Sequence, residues 1–178
     1  MKAIETPFID LTIIQSDIFS DSRGDFQKIF QTQLFKNLSM DFDIKEFYYS
    51  ISHKNVIRGL HFQIPPHDHT KLVFVSQGEI LDVVIDLRKD SATFGKLFSI
   101  HLNNIDGKSL FIPSGFAHGF LALTDNTIVN YMQNSQYHKE SDSGILYSSI
   151  DFDWGVKNPI ISERDLSFVS LDQFKTPF

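Results

Sequence analysis

Beyond residue 56 the sequence alternates between short apolar segments and turn-forming residues. The segments are LVFV (72–75), ILDVVIDL (80–87), LFSIHL (97–102), SLFIP (109–113), FLAL (120–123) and IVNYM (128–132). Gly78, Asn103-Asn104, Asp106-Gly107 and Ser114-Gly115 are among the residues that separate them. Strands that recur about every 8–12 residues, with turns between them, are typical of a sandwich or barrel. We therefore predict an all-β fold.

The first fifty residues and the tail are less regular. Residues 4–19 indicate one or two strands, and Asp21–Gly24 is a turn signal. From Phe26 to Leu38 the apolar spacing becomes helical in its second half, and IKEFYYSIS (44–52) has the composition of a strand. The tail after Asp151 loses this periodicity. Because no repeat or linker interrupts the chain, we predict a single domain over residues 1–178, with short helices near the N- and C-terminal regions.

Composition narrows the range of partners and compartments. The net charge of −6 argues against a nucleic-acid partner, whose phosphates require basic patches. The absence of cysteine excludes disulfides and a thiol nucleophile. The N-terminus lacks the apolar run of a signal peptide, and no stretch is long enough to span a membrane. We expect a soluble cytoplasmic protein that binds neither nucleic acid nor membrane.

The stretch HFQIPPHDHTK (61–71) holds three of the seven histidines and a lysine. His67 and His69, with His118, could supply three imidazoles to a metal, as in the HxH pattern of metal-binding cupins. However, the carboxylate expected shortly after such a pair is missing, since the next one is Glu79, and Lys71 would repel a divalent cation. Pro65-Pro66 also suggests a loop. We therefore expect His67 and His69 on an exposed loop, and no metal.

The other interpretation is a metal-free acid–base site. Histidine is suited to be a general base near neutral pH, and a carboxylate commonly fixes its tautomer. The candidates for the base are His61 and His118, and the candidate carboxylates are Asp82, Asp86 and Asp165. Lys71 could stabilise an oxyanion, and Tyr131 could donate a proton. Arg23 and Arg58 are suited to phosphate oxygens.

Several ordered blocks of the chain resemble one known family. They are Asp21-x-Arg23-Gly24, Arg58-Gly59-Leu60-His61-Phe62-Gln63, Lys71-Leu72-Val73, Asp82-Val83-x-x-Asp86-x-Arg88, Ile112-Pro113-x-Gly115-Phe116-Ala117-His118-Gly119-Phe120 and Ser162-Glu163-x-Asp165. Together they are similar to the dTDP-4-dehydrorhamnose 3,5-epimerase family over most of the chain.

The resemblance implies a metal-free cupin jelly roll without a cofactor, assembled as a homodimer that exchanges N-terminal strands. The implied substrate is a nucleotide-linked 4-keto sugar, a 6-deoxy hexose or a heptose, that is inverted at carbon 3, carbon 5 or both for polysaccharide precursors such as capsule or O-antigen. The implied catalytic residues are His61 as the base, Asp165 as its partner, Lys71 at the enolate oxygen and Tyr131 as the proton donor. The implied contacts to the substrate come from Arg23, Phe26, Ser52, Arg58, Gln63 and His118.

Two departures from the family pattern concern the nucleotide. After the Asp-x-Arg-Gly turn the family usually has Phe followed two residues later by Glu, whereas Lys28 follows Phe26 here. The family's Q-D-N-H-S-x-S reads Glu46-Phe47-Tyr48-Tyr49-Ser50-Ile51-Ser52, so an amide pair is lost. Because a lysine only donates hydrogen bonds, Lys28 would suit a guanine edge better than thymine. We expect GDP as the nucleotide, with Tyr137 stacked on its base.

Two alternatives to an epimerase remain open from the sequence. The first is a ketoisomerase on the same scaffold, which would move the keto group between neighbouring carbons. The second is a metal-dependent cupin oxygenase or a non-catalytic sugar-binding module. Metal analysis tests the oxygenase, and uptake of deuterium from heavy water separates the other possibilities.

Overall fold

The computed structural model describes residues 1–178, and most of its regular structure is strand. The strands are β1 (Lys2–Glu5), β2 (Thr12–Gln15), β3 (Ile18–Asp21), β4 (Gly24–Gln27), β5 (Glu46–Ser52), β6 (Ile57–Gln63), β7 (Lys71–Gln77), β8 (Glu79–Asp86), β9 (Leu97–Asn103), β10 (Lys108–Ile112), β11 (Phe116–Ala122), β12 (Thr127–Gln133) and β13 (Asp142–Gly144). The helices are α1 (Thr32–Asn37), a 3₁₀ turn (Tyr147–Ser149) and α2 (Glu163–Leu166).

Eleven strands form two antiparallel sheets that face each other. One sheet has six strands in the order β1-β2-β10-β7-β12-β5, and the other has five in the order β13-β6-β11-β8-β9. Val73 and Val129 of the first sheet belong to the same buried apolar cluster as Val84 and Phe120 of the second. This is the jelly roll of the cupins, which confirms the predicted all-β fold. The strands β3 and β4 pair only with each other.

Each apolar segment predicted beyond residue 56 lies largely in a strand, whereas β4 and β13 were not predicted and the prediction also fails around β6 and β11. FLAL is the end of β11, which begins four residues earlier, and β6 was not assigned as a strand. At Gly59 in β6 the backbone has φ 129°, and a Cβ there would lie 2.5 Å from the Cα of Gly119. Only glycine fits this close approach, where the register between β6 and β11 shifts. The irregularity explains why an alternating pattern is absent from the sequence.

The outer face of the five-stranded sheet is covered by the irregular C-terminal tail. On β8, Ile80 and Val84 face the space between the sheets, whereas Val83 and Ile85 pack in a second cluster with Trp154. Both faces of this strand are therefore buried, and its two aspartates, Asp82 and Asp86, are fully buried as well. The tail also carries α2 and with it Asp165.

The N-terminal helix is shorter than its apolar spacing suggests. The spacing began at Phe26, but that residue lies in β4, and α1 has six residues. The buried side chain of α1 is Phe35, which packs against Phe42 and Phe111 beside the six-stranded sheet. None of the helices has the length and apolar character that a membrane-spanning helix requires.

Candidate active site

A cavity of about 340 Å³ opens between the two sheets. Its lining includes seven of the residues selected from the sequence, namely Arg58, His61, Gln63, Lys71, His118, Tyr131 and Tyr137. Strands β6 and β11 of one sheet and β7 and β12 of the other supply most of them. The structure thus brings together residues that are up to eighty positions apart in the chain.

His61 lies on β6 and is paired with Asp165 of α2. Its Nε2 atom lies 2.9 Å from Oδ1 of Asp165. The other oxygen, Oδ2, accepts the backbone N–H of Gly59 at 3.0 Å. Ser162 caps α2 by accepting the backbone N–H of Asp165 at 3.1 Å, which fixes the turn that presents the carboxylate. Asp165 is thereby held by β6 and by its own helix.

Burial controls the protonation of this pair. Burial lowers the pKa of His61 from its usual value, although the hydrogen bond to Asp165 acts in the opposite direction. Burial by itself raises the pKa of Asp165, but the hydrogen bonds from His61 and from the Gly59 N–H outweigh it and lower that pKa. At neutral pH the pair is therefore a carboxylate and a neutral imidazole.

Lys71, at the start of β7, projects its ammonium group into the cavity. The side chain is 5% exposed, and Nζ donates to the backbone carbonyl of His61 at 3.1 Å. Burial lowers the pKa of Lys71 to about 8, against the opposing effect of the Asp142 and Asp82 carboxylates. At neutral pH this is a desolvated cation one hydrogen bond away from the strand that carries His61.

Tyr131 faces the cavity from β12, in the sheet opposite to that of His61. Its ring is nearly parallel to that of Tyr48, with centroids 4.8 Å apart, and its hydroxyl lies 3.5 Å from Oγ of Ser50. Burial raises the pKa of Tyr131 far above its usual value, so the phenol keeps its proton throughout the physiological range.

The other candidate carboxylates have different partners. Oδ2 of Asp82 lies 2.7 Å from Nε2 of His118, and both side chains are buried. Asp86 accepts from Arg88, Ser91 and Thr93 at a turn that follows β8. Of the three candidates, Asp165 is the one that the structure places on His61. No group of three or more His, Asp or Glu side chains is placed to hold a metal ion.

The expectation that His69 lies on an exposed loop is wrong. His69 is 9% exposed and lines the cavity, two residues before Lys71, and no other group of the chain hydrogen-bonds to either ring nitrogen. Burial, followed by the Lys71 ammonium, lowers the pKa of His69 to about 3. His67 is half-buried, and its ring stacks on that of His138 with centroids 3.6 Å apart. The sequence could not show that the loop folds back onto the barrel.

Hydrogen bonds within the chain hold three of the residues predicted to contact the substrate, namely Arg58, Ser52 and Gln63. Arg58 donates from Nε to Oγ of Ser52 at 3.0 Å and from Nη2 to the carbonyl of Ile51 at 3.1 Å. Ser52 is buried behind the arginine and does not line the cavity. Gln63 donates to the carbonyl of His67 at 2.6 Å and accepts the backbone N–H of His138 at 2.7 Å, so it joins two loops at the rim.

Arg23, Phe26 and Lys28 are not brought to the cavity of their own chain. Arg23 and Phe26 belong to the β3–β4 hairpin, Lys28 follows it, and all three are exposed. Arg23 pairs with Asp21, and Lys28 Nζ lies 3.5 Å from Oε1 of Gln31. None of them lines the cavity.

The cavity also contains polar residues that the sequence did not single out, namely Gln133, Asp142 and Arg164. Glu46, Tyr48 and Ser50 line it as well, although the sequence showed them only as a departure from the family pattern. Side chains alternate between the two faces of β5, and this alternation could have identified its cavity-lining residues. Tyr48 is paired with Tyr131 in the ladder, and Glu46 is paired with Gln133. Because Tyr131 faces the cavity, its ladder partner Tyr48 faces the cavity too, and so do the residues two positions away on β5.

Comparisons with known proteins agree with this site. Residues 5–173 match the family model described as dTDP-4-dehydrorhamnose 3,5-epimerase. The enzyme of that name from Shigella flexneri is 38% identical, over 98% of this chain and 99% of its own. The crystal structure of the Bacillus anthracis enzyme with TDP and pyrophosphate bound has a TM-score of 0.92 and 38% identity, covering 96% of this chain and 99% of that one.

A third relative was solved with a sugar nucleotide. The epimerase of Legionella pneumophila, in complex with dTDP-4-keto-L-rhamnose, has a TM-score of 0.92 and 32% identity, and the match covers 98% of this chain and 94% of that one. The similarity therefore spans nearly the whole length of both chains in each case. The chain belongs to the dTDP-4-dehydrorhamnose 3,5-epimerase family and is an epimerase, a member of the isomerase class.

Proposed function

We propose that this protein inverts carbons 3 and 5 of a dTDP-linked 4-keto-6-deoxyhexose. The observation that carries the proposal is the arrangement of His61 and Tyr131 on opposite sheets with Lys71 beside them. Inversion requires that a proton leaves one face of a carbon and returns to the other face. A base on one wall and an acid on the opposite wall meet that requirement.

His61 is the proposed base. Because a carboxylate only accepts hydrogen bonds, Asp165 fixes the proton of the neutral imidazole on Nε2, and Nδ1 keeps its lone pair. When Nδ1 takes the proton from carbon 3 or 5, the electrons of the C–H bond form the carbon–carbon double bond of an enolate. The imidazolium that results is stabilised by the Asp165 carboxylate.

Lys71 and Tyr131 complete the proposed reaction. The negative charge of the enolate develops on the former keto oxygen, where the desolvated Lys71 ammonium stabilises it more strongly than it would in water. Tyr131 then delivers a proton to the other face of the carbon. Because one proton leaves and one returns at the same carbon, the oxidation state does not change.

A second copy of the chain is proposed to complete the nucleotide site. The β3–β4 hairpin pairs with neither sheet, and Phe19 and Phe26 on it are 62% and 58% exposed. An isolated two-stranded hairpin is marginally stable in water. Since β1 pairs with β2 and β2 pairs with β10, all within one chain, the hairpin is the N-terminal element that remains for exchange.

Strand β5 offers the matching surface on the other copy. It is the edge of the six-stranded sheet, and its outward residues Phe47, Tyr49 and Ile51 are all more than half exposed. An edge strand with a large apolar face is normally covered by a partner. Because the opposite face of β5 lines the cavity, a hairpin docked there would bring Arg23, Phe26 and Lys28 of the second copy near Arg58 and Tyr137.

GDP is a second candidate for the nucleotide, because Lys28 replaces the acidic side chain usual in the family and the amide pair of the family's Q-D-N-H-S-x-S is lost. A lysine at this position donates hydrogen bonds and suits the acceptors of guanine, whereas the acidic side chain usual in the family can accept the thymine N–H. Calorimetry with dTDP and with GDP distinguishes the two, because tighter binding of GDP would replace the dTDP proposal. The Lys28→Glu variant should then shift the preference towards dTDP.

Proton exchange in heavy water tests the function. The purified protein is incubated with dTDP-4-keto-6-deoxyglucose, and deuterium is located by NMR. Incorporation at carbons 3 and 5 with inversion is expected. Incorporation at one carbon would reduce the activity to a single epimerisation, and movement of the keto group would identify a ketoisomerase. The absence of deuterium incorporation would indicate a non-catalytic sugar-binding module. Stoichiometric iron or nickel in the purified protein would favour an oxygenase.

A further inference from the structure

Strand β5 departs from the family pattern at residues that face the cavity. Tyr48 stands where the family commonly has the asparagine of Q-D-N-H-S-x-S, and the structure places it against Tyr131. The two residues are directly opposite each other in the ladder between β5 and β12. A change from a small amide to a phenol has therefore occurred next to the proposed proton donor.

The face of the Tyr131 ring stacks on the ring of Tyr48. The ring centroids are 4.8 Å apart and the planes are inclined by 15°, an offset stack within the range at which aromatic rings attract. By contrast, the Tyr131 hydroxyl lies 3.5 Å from Ser50, at the outer limit of a hydrogen bond. The ring is held by its face and only loosely by its hydroxyl.

The other side of Tyr131 is restrained by a residue that is itself fixed. The His118 ring meets Tyr131 edge-on, with centroids 6.2 Å apart and planes inclined by 70°, and His118 is tied to Asp82 at 2.7 Å. Tyr48 is in turn placed by its ladder pairing with Tyr131, and its hydroxyl lies 3.5 Å from Oε1 of Gln133, again at the outer limit of a hydrogen bond. Removing Tyr48 would leave Tyr131 supported on one side.

We infer that Tyr48 is a positioning residue, which holds the phenol of Tyr131 in the orientation that delivers a proton to the enolate. The inference rests on the proposed function, in which Tyr131 is the donor. The ring of Tyr48 is sufficient for this role and its hydroxyl is not needed. A misaligned donor leaves the enolate to be reprotonated by His61 on the original face, which gives exchange without inversion.

The test compares Tyr48→Leu with Tyr48→Phe, which keeps the ring. Both variants and the wild-type protein are given dTDP-4-keto-6-deoxyglucose in heavy water, and the rates of deuterium uptake and of net inversion are followed together by NMR. Tyr48→Leu is expected to slow inversion roughly ten- to hundredfold. Deuterium uptake and KM should stay near the wild-type values, and Tyr48→Phe should restore the wild-type ratio of inversion to uptake.

Each other outcome overturns the inference. If Tyr48→Leu raises KM and keeps the ratio, Tyr48 contacts the substrate and does not position Tyr131. If Tyr48→Phe loses inversion as well, the hydroxyl takes part in proton transfer. If Tyr48→Leu lowers uptake and inversion equally, the effect is a general loss of the site. Absence of any uptake by the wild-type protein would instead refute the proposed function, and the positioning role with it.

Discussion

The imidazole of His61 and the carboxylate of Asp165 are in direct contact across 104 residues of chain, with Nε2 and Oδ1 2.9 Å apart. The carboxylate reaches β6 because the C-terminal tail crosses the outer face of the five-stranded sheet and forms α2 along the way. Asp165 is 3% exposed and also accepts the Gly59 N–H. A fixed and buried carboxylate determines the tautomer of its histidine partner.

Replacement of this carboxylate by an amide should stop proton abstraction without unfolding the protein. In Asp165→Asn the amide oxygen can still accept the Gly59 N–H, while the amide nitrogen turns a donor towards Nε2. His61 would then carry its proton on Nδ1 and could not act as the base. We expect a fall in kcat of about 10²- to 10⁴-fold with little change in KM. Deuterium uptake at wild-type rate by this variant would show that Asp165 does not set the tautomer.

The acid–base groups also predict the shape of the pH profile. Burial lowers the pKa of His61, so the base stays unprotonated until the pH falls below its usual value of 6.5. Lys71, with its pKa lowered to about 8, loses its stabilising charge as the pH rises through that value. Activity should therefore decline on both sides, and the alkaline decline belongs to Lys71. Tyr131 cannot produce it, because its pKa is raised.

The variant Lys71→Arg tests whether Lys71 causes the alkaline decline in activity. Arginine stays charged throughout the accessible range, so the alkaline decline should disappear from whatever activity the variant retains. Lys71→Met should lower kcat by about 10²- to 10³-fold below pH 8, where the lysine is charged, and the difference from wild type should shrink at higher pH. If the activity of Lys71→Arg still declines near pH 8, another titrating group causes the decline. The measurement is the initial rate of deuterium uptake between pH 5 and pH 10.

The residue Tyr131 should be needed for inversion and not for exchange. In Tyr131→Phe, His61 can still remove a proton and return a deuteron to the same face. Uptake should therefore continue while net inversion slows about 10²-fold or more. NMR of the product sugar distinguishes the two, since inversion changes the coupling constants and uptake removes a signal. Full inversion by Tyr131→Phe would remove this residue from the role of donor.

The site residues that lie on regular strands could be predicted from the sequence. The strands β7, β8, β9, β10 and β12 are apolar segments bounded by turn residues, and Lys71 and Tyr131 lie on two of them. Their side chains face one cavity because a jelly roll turns alternate positions of two sheets inward. The pattern of the family then selected Asp165 from three aspartates, a choice that periodicity could not make.

Contacts that depend on irregular backbone could not be predicted. β6 carries Arg58 and Gly59, and its register shift at Gly59 hides the strand pattern. His69 follows two prolines, which suggested an exposed loop, although the chain turns back and buries the imidazole. Tyr48 looked like an ordinary strand aromatic, because its partner Tyr131 is known only from the pairing of β5 with β12.

The buried imidazole of His69 should make the fold sensitive to acid. Its pKa is lowered to about 3 in the folded state, against 6.5 as the ordinary value. Between those values the unfolded chain binds one more proton than the native state, so stability is present above pH 6.5 and is lost as the pH falls. The loss is at most about 1.4 kcal/mol per pH unit from this group.

The variant His69→Leu isolates that contribution. It removes two buried polar atoms that no group of the chain pairs, and it should reduce the slope of the unfolding free energy between pH 6.5 and pH 4. Urea denaturation at several pH values and one protein concentration gives the slope. The same substitution at His53, whose side chain is 80% exposed, is the control for loss of an imidazole. Equal slopes for wild type and His69→Leu would refute the prediction.

If two copies of the chain exchange their β3–β4 hairpins, two inactive variants should regain activity when they form a mixed dimer. His61→Ala removes the base from the cavity, and Arg23→Ala removes a phosphate ligand from the hairpin. If each cavity combines His61 of one copy with Arg23 of the other, a mixed dimer contains one intact site. Random pairing of equal amounts makes half of the dimers mixed, so about a quarter of the wild-type activity should return. Co-expression of the two variants and an assay of deuterium uptake measure it.

A second pair of variants controls for this complementation. His61→Ala and Asp165→Asn alter the same cavity of the same chain, because the two side chains are in contact within one copy. Every site of their mixed dimer carries one of the changes, so no activity should return. Recovery with Arg23→Ala and none with Asp165→Asn would show that the hairpin acts on the partner's cavity. Recovery with neither pair would mean that the hairpin serves its own chain, because the mixed dimer then has no site that gains a missing group. Full activity of Arg23→Ala on its own would mean that Arg23 does not hold the nucleotide.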